Sequence, residues 1–369
     1  MQSFNQQRIS RARFMVVGCG ALGNEVLKCL VLQGARRIMV VDFDVVEHSN
    51  LNRSVLFRVS DADARRPKVE AAAERLRELA PGVEVTAVNG DFIHDVGLGL
   101  IRRMDVVIGC VDSRWARYCI NRQCMRAGVP WIDGGISGLE GTVRVFAPGR
   151  NCYACNLGPE GLADMAVRRP CSGTIRRAEE AGHAPTTPIV ASVIGAMQAQ
   201  EALKLVSPEL LDSTTVSSLC GRIFYYDGQH ATASVADFRA FDPDCPCHEL
   251  WSPVAETGLT VDNTIGEALE LLGPNSSIYL IDNSFVDFVE QRESGRQIKV
   301  MCPAHRVAEA IDADSQAAGL PLSSFYQHEY HEIVSSFPYK HLTLGQIGIP
   351  PQAVLSTIVN GCRKYLEIK

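Results

Sequence analysis

Residues 13–42 read RFMVVGCGALGNEVLKCLVLQGARRIMVVD. An apolar run, RFMVVG, leads into the glycine turn GCGALG. NEVLKCLVLQG then has the apolar spacing of a helix, and RIMVVD is a second apolar run that stops at an acid. Strand, glycine turn, helix and strand in that order predict a βαβ unit. Glycines at 18, 20 and 23 permit a tight turn and let backbone N–H groups approach a phosphate at a helix start. Asp42 follows Gly23 by nineteen residues, where a carboxylate commonly accepts hydrogen bonds from ribose hydroxyls. To this point the pattern says nucleotide, and it suits NAD as well as ATP.

Further along, an amphipathic segment (KVEAAAERLRELAPG), an apolar run (VEVTAV) and a third run that stops at an acid (MDVVIGCVD) continue the alternation, which persists to about Leu205. Such alternation predicts an α/β fold: a Rossmann-like, mostly parallel sheet with helices on both faces, whose ligands bind beyond the carboxyl ends of the strands. A loop of about 156–188, rich in Pro, Gly, Cys and Arg, interrupts this first domain, taken as 1–250. After FDPDCPCHELWSP the character changes. TVDNTIGEALELLG predicts a helix with a threonine cap, and IYLID, QIKVM and KYLEI predict strands, so 251–369 reads as a smaller α+β domain.

The chain has 369 residues, 46% hydrophobic and 21% charged, and lacks an apolar run long enough to span a bilayer. MQSFNQQRISRARF has no apolar core followed by small residues, so it does not read as a secretory signal. A net charge of −6 gives no global attraction to nucleic acid. The expectation is a cytoplasmic protein with neither membrane nor nucleic acid as partner. Thirteen cysteines, an odd count, point to thiols used as ligands or nucleophiles in a reducing compartment.

Beyond Asp42 the sequence departs from a dehydrogenase. Asp44 follows, then SNLNR from Ser49 to Arg53, then Arg-Pro-Lys from Arg66 to Lys68. The stretch VVGCGALGNEVLKCLVLQGARRIMVVDFDVVEHSNLNR resembles the nucleotide-binding core of ubiquitin-activating-type enzymes. This is the ThiF/MoeB/HesA superfamily, which includes the adenylylating enzymes of thiamine and molybdopterin synthesis. The resemblance runs from about Arg13 to Cys247. It reappears in VIGCVDSRWARYCIN, in VPWIDGGISGLEGTVRVFAPG and around GAMQAQEALK.

It implies that AMP from ATP is joined to the C-terminal glycine carboxylate of a ubiquitin-like or sulfur-carrier protein. Gly18, Gly20, Gly23 and Asp42 then hold the nucleotide, Arg53 and Lys68 its phosphates, and Asn50 adds a neutral hydrogen bond. Asp44 and Asp112 take Mg²⁺. A homodimer is also implied. Taken singly, Lys68 reads equally as a solvated lysine at a helix start, and Asp112 as the N-cap of SRWARYCIN.

Cys152 and Cys155 form a CxxC, and Cys245, Cys247 and His248 lie far downstream. Four soft ligands converging from distant segments suit a structural Zn²⁺. Two CxxC pairs do this in the family, and here Cys247 and His248 compete for the fourth place. The favoured set is Cys152, Cys155, Cys245 and Cys247. Cys171 lies in RRPCSGTIRR, bracketed by Arg168, Arg169, Arg176 and Arg177, which stabilise a thiolate. Its position resembles that of the thioester cysteine in the catalytic subunit of the NEDD8-activating enzyme, the member closest in layout. The remaining thiols read as buried structural cysteines. The C-terminal domain looks distantly like the ubiquitin-fold domain that recruits a conjugating enzyme.

Three functions follow for comparison. The first is adenylylation, thioester transfer to Cys171 and handover to a conjugating enzyme. The second is adenylylation of a sulfur carrier without a thioester. The third is a nucleotide-dependent oxidoreductase or a noncatalytic scaffold, for which Asp44, Asn50, Arg53, Lys68 and Asp112 have no stated use.

Overall fold

The computed structural model describes residues 5–158, 161, 187–207, 217–292, 297–306 and 322–369. They fall into two compact units, the first within 1–93, 101–167 and 183–250, the second comprising 94–100 and 251–369.

The first unit is built on an eight-stranded sheet of order β3-β2-β1-β4-β5-β6-β7-β8. Its strands are β1 (Arg13–Val17), β2 (Arg37–Asp42), β3 (Glu84–Asn89), β4 (Val106–Gly109), β5 (Trp131–Ser137), β6 (Glu140–Phe146), β7 (Arg222–Asp227) and β8 (Thr232–Asp237). β1 to β5 run parallel, and β5 to β8 are antiparallel neighbours. The mostly parallel α/β sheet is therefore present, extended by an antiparallel edge. The change of direction occurs at the tight turn Gly138-Leu139, where Gly138 adopts φ +59°. A left-handed residue is cheap there only because it lacks a Cβ.

The helix Ala21–Leu32 buries Leu22, Val26, Leu27, Leu30 and Val31 along one stripe, ends at Gln33, and is followed by Gly34 at φ +92°. It packs on the helix Pro188–Leu205 at a close crossing, where a Cβ on Gly195 would lie 2.6 Å from that of Glu25. Strand β1 explains why both faces of the sheet are covered. Phe14 and Val16 belong to the core shared with these two helices. Their neighbours Met15 and Val17 are also buried, and alternation along a strand turns them to the opposite face.

Register brings the ends of three strands level: Val17 pairs with Val41 of β2 and with Gly109 of β4. Gly18 N donates to Val41 O at 2.8 Å and Cys110 N to Val17 O at 2.7 Å. Strand order reverses between β1 and β4. Gly18, Asp42 and Cys110 thus meet at the carboxyl edge where parallel sheets hold ligands.

The second unit contains the helix Ile265–Leu272 and strands β9 (Val254–Glu256), β10 (Ser276–Tyr279), β11 (Phe285–Arg292), β12 (Gln297–Pro303), β13 (Leu322–Tyr330), β14 (Glu332–Ile333), β15 (Val354–Val359) and β16 (Cys362–Glu367). One sheet has the order β14-β10-β15-β16-β9, and β12-β11-β13 form another. Thr264 caps the helix: its hydroxyl accepts from Glu267 N at 3.2 Å and Glu267 returns a carboxylate to Thr264 N at 2.8 Å. Ile265, Ala268, Ile278 and Leu355 share its core. Among the described residues, no helix is long and apolar enough to cross a membrane.

Candidate active site

The three glycines of the loop do different things. A Cβ on Gly18, which sits at φ +94°, would lie 2.5 Å from the carbonyl oxygen of Cys110, and one on Gly23 would lie 2.0 Å from that of Gly18. These two are demanded by packing between β1, β4 and the helix. Gly20 is different. Among the described residues, no heavy atom lies within 4 Å of the Cβ position there. It is the N-cap of helix Ala21–Leu32, and no described side chain caps that helix. An open helix start without a capping carboxylate or hydroxyl is a cradle for an anion.

Asp42 closes β2 and holds the loop. Its two oxygens accept from Cys19 N at 2.6 Å and from Asp44 N at 2.8 Å. Burial pushes its carboxyl above the ordinary value, against the pull of the Lys68 charge and the two amide bonds. Lys68 opens the helix Lys68–Leu79 after Pro67, and its Nζ lies 2.7 Å from Asp44 Oδ2. The lysine side chain is 11% exposed and the aspartate 52%. Asp44 therefore already faces a cation, and this nearly buried lysine points to the carboxyl edge from the next element.

Asn50 and Arg53 lie on one continuous set of turns. Asn50 Oδ1 accepts from Glu47 N at 3.0 Å, Arg53 N donates to Asn50 O at 3.1 Å, and the Arg53 guanidinium reaches Ser49 O and Asn52 Oδ1. Asp112 is exposed, just past β4. Its neighbourhood is set by Arg117, which donates to Val111 O at 2.7 Å, Gly134 O at 3.1 Å and Asp112 O at 3.4 Å. Arg117 is held in turn by the buried Asp133, Nε to Oδ1 2.8 Å, which also faces Arg144 at 3.4 Å. Opposite, Gln198 of the long helix donates to Gly109 O at 2.9 Å. Ser113, not Asp112, caps the helix Arg114–Ala127, accepting from Ala116 N.

A second constellation lies within the same unit. Cys152, Cys155, Cys245 and His248 present ligand atoms that all lie within 4.8 Å of one another. Cys152 Sγ is 3.7 Å from both Cys155 Sγ and Cys245 Sγ, and Cys155 Sγ is 3.2 Å from His248 Nε2. Thiolates about 2.3 Å from one tetrahedral ion stand about 3.8 Å apart, so the donor set and its spacing fit a metal. Burial lowers the His248 pKa, favouring the neutral ring that can ligate, and Phe241 stacks on it at 4.4 Å.

The tight group contains His248 rather than the favoured Cys247. The reason is the turn. His248 N donates to Cys245 O, so residues 245 and 248 face the same way, as 152 and 155 do. Cys247 instead engages Tyr118 and Cys245.

A family model described as the ThiF family matches residues 1–247. This chain belongs to the ThiF family.

Among its relatives is the "SAMP-activating enzyme E1" of Haloferax volcanii, 35% identical over 245 residues, covering 65% of this chain and 82% of that one. The "Sulfur carrier protein adenylyltransferase" of Thermus thermophilus is 32% identical, covering 65% and 83%. The mouse "Adenylyltransferase and sulfurtransferase MOCS3" is 33% identical over 65% of this chain, which spans only 48% of it. Among solved structures, E. coli MccB with ATP superposes with a TM-score of 0.52 at 21% identity, over 66% of this chain and 68% of that one, a likeness of fold.

In this ThiF-family chain the carboxyl edge of the sheet gathers the glycine loop, Asp42, Asp44 and Lys68, with Asn50 and Arg53 on the adjoining turns and Asp112 beyond β4. Cys171 and the arginines around it lie outside the described residues. Cys19, Cys110 and Cys124 are buried, and burial pushes their thiols up, which suits packing rather than nucleophilic attack. Cys362 is exposed, unlike the buried thiols expected. Sequence reading passed over Asn24, Arg117, Asp133 and Gln198. Asp133, in PWIDGGI, is a polar residue in an otherwise apolar run, a signal that could have found it; Arg117 lies in a polar helix and carries no such signal.

Proposed function

We propose that this protein adenylylates the C-terminal carboxylate of a small carrier protein. A carboxylate oxygen attacks the α-phosphorus of ATP. The new P–O bond forms as the bond to the β-phosphate oxygen breaks, giving an acyl adenylate and pyrophosphate. The open, uncapped helix start at Gly20 beside the nearly buried Lys68 carries this reading. An anion on those amides meets a lysine that can exchange Asp44 for a phosphate. Asp42 has a further lone pair on each oxygen for ribose hydroxyls while it keeps the loop shaped. Arg53 and Asn50 approach the phosphates from the adjoining turns. Asp112, an exposed carboxylate, offers the hard oxygen that a magnesium ion on ATP takes, and that ion offsets phosphate charge when bound.

The names of the relatives support a carrier protein as acyl donor, and they favour the route that ends at the adenylate over one that continues to a thioester on Cys171. We assign Cys152, Cys155, Cys245 and His248 a structural zinc ion pinning two distant stretches. A homodimer is the family expectation, and sedimentation of the purified chain tests it.

The test is exchange of radiolabelled pyrophosphate into ATP, with candidate carriers ending in glycine. Exchange should require a carrier and fall by about two to three orders of magnitude in Lys68→Ala and Asp112→Ala, the range for losing one electrostatic group. Absence of exchange with every carrier, alongside tight NAD binding, would transfer the site to an oxidoreductase or scaffold. Cys171→Ala should keep exchange. A reducible carrier adduct lost in that variant alone would restore the thioester route.

A further inference from the structure

Asn24 is fully buried in the first turn of helix Ala21–Leu32. A buried amide in an apolar helix is costly unless its hydrogen-bonding groups are used. Here they are spent on backbone. Nδ2 donates to Cys19 O at 2.9 Å and to Gly20 O at 3.0 Å, while Oδ1 accepts from Leu56 N at 2.8 Å, across 32 residues of chain. One side chain therefore joins the carbonyl side of the glycine loop to the segment that carries Asn50 and Arg53. Drawing the two loop carbonyls inward leaves the open side at Gly20 to the amides. The pin at Leu56 reaches Arg53 through consecutive turns: Phe57 N donates to Ser54 O at 3.3 Å, and Arg53 N to Asn50 O at 3.1 Å.

We infer that Asn24 is a positioning residue that sets the Arg53 turn against the glycine loop, so that both meet the phosphates of one nucleotide. This rests on the reading above that Arg53 holds phosphate. Asn24 touches neither substrate nor reacting atoms and acts through the backbone of both loops. It belongs to neither the glycine motif nor the SNLNR stretch.

Two measurements on the full chain test it. The first is amide hydrogen exchange without nucleotide, which is independent of what the site binds. Asn24→Ala should speed exchange across residues 49–57, with Leu56 most affected, and unchanged exchange overturns the clamp. The second is the Kd of MgATP by calorimetry for Asn24→Ala, Arg53→Ala and the double variant. Asn24→Ala should weaken MgATP roughly tenfold or more, and adding it to Arg53→Ala should cost little further. Effects that multiply would show that the two act separately and overturn the inference.

If Arg53→Ala weakens MgATP and Asn24→Ala does not, the inference alone fails. If neither does, the phosphate reading of Arg53 fails and takes the positioning role with it. Should Asn24→Ala not fold, Asn24→Asp keeps an acceptor for Leu56 N and retains at most one donor, the carboxyl O–H, for the two loop carbonyls. It should leave exchange at Leu56 slow while still weakening MgATP, and wild-type affinity in that folded variant overturns the proposal.

Discussion

The glycine-loop edge and the cysteine cluster are assembled on opposite principles. Around the loop, functional side chains already have partners of their own chain: Asp42 accepts two amides, Lys68 faces Asp44, and Arg53 leans on Ser49 and Asn52. Such a site keeps its shape alone, and a ligand would have to exchange those partners for its own groups. In the cluster, three thiols and an imidazole face one another, and His248 Nδ1 is buried with no hydrogen-bond partner among the described residues. Soft donors packed together in this way have little else to stabilise them, so the cluster would lean on an ion where the loop would not.

The largest effect expected from this contrast is loss of the metal. Chelation should lower the melting temperature by more than about 10 °C, since structural zinc contributes folding energy outright. His248→Ala should do nearly the same, and Cys247→Ser should retain one zinc per chain by elemental analysis. Retention in His248→Ala with loss in Cys247→Ser would break the contrast at its fourth ligand.

Within the loop, Gly23→Ala forces a Cβ to within 2.0 Å of the Gly18 carbonyl oxygen and should cost about 2–3 kcal/mol in chemical denaturation. Gly20→Ala meets open space and should leave the denaturation midpoint within about 0.5 kcal/mol of wild type, yet weaken MgATP. Equal destabilisation by the two would mean that the cradle is packed rather than open.

The smallest effect is a pH dependence at Asp42. Its folded pKa is raised, chiefly by burial, so proton binding favours the folded chain. Ionisation then costs stability, fully above the folded pKa and not at all below the unfolded value near 3.9. As pH falls from about 6 toward about 4, the melting temperature of wild type relative to Asp42→Asn should shift in favour of wild type by at most a few degrees. A shift the other way would mean that the amide bonds outweigh burial.

The edge that holds the loop was readable because it is local. Periodicity marks β1, the helix and β2, and Gly18 and Gly23 stand where a Cβ is forbidden. The antiparallel half was less readable, because it turns on SGLEG, a two-residue reversal inside what reads as another run of the alternation. The role of Asn24 was hidden because the amide it accepts from lies 32 residues away at Leu56. That His248 joins the tight group was in view in the spacing. Cys245 and His248 stand three apart, as Cys152 and Cys155 do, and a turn presents residues at that interval to the same side.

The separation of the two cluster halves also bears on how quickly the chain reaches its fold. Cys152 and Cys245 are 93 residues apart, and β6 ends just before the first as β8 ends just before the second. The β7–β8 hairpin forms across a short reversal, but docking it on β6 requires closure of that long loop, an entropic barrier of about 4 kcal/mol. On the zinc assignment proposed above, an ion captured early by both halves would close that loop before strands pair across it. The cluster would then act as a kinetic clip, and completion of the antiparallel edge during refolding should slow when metal is withheld.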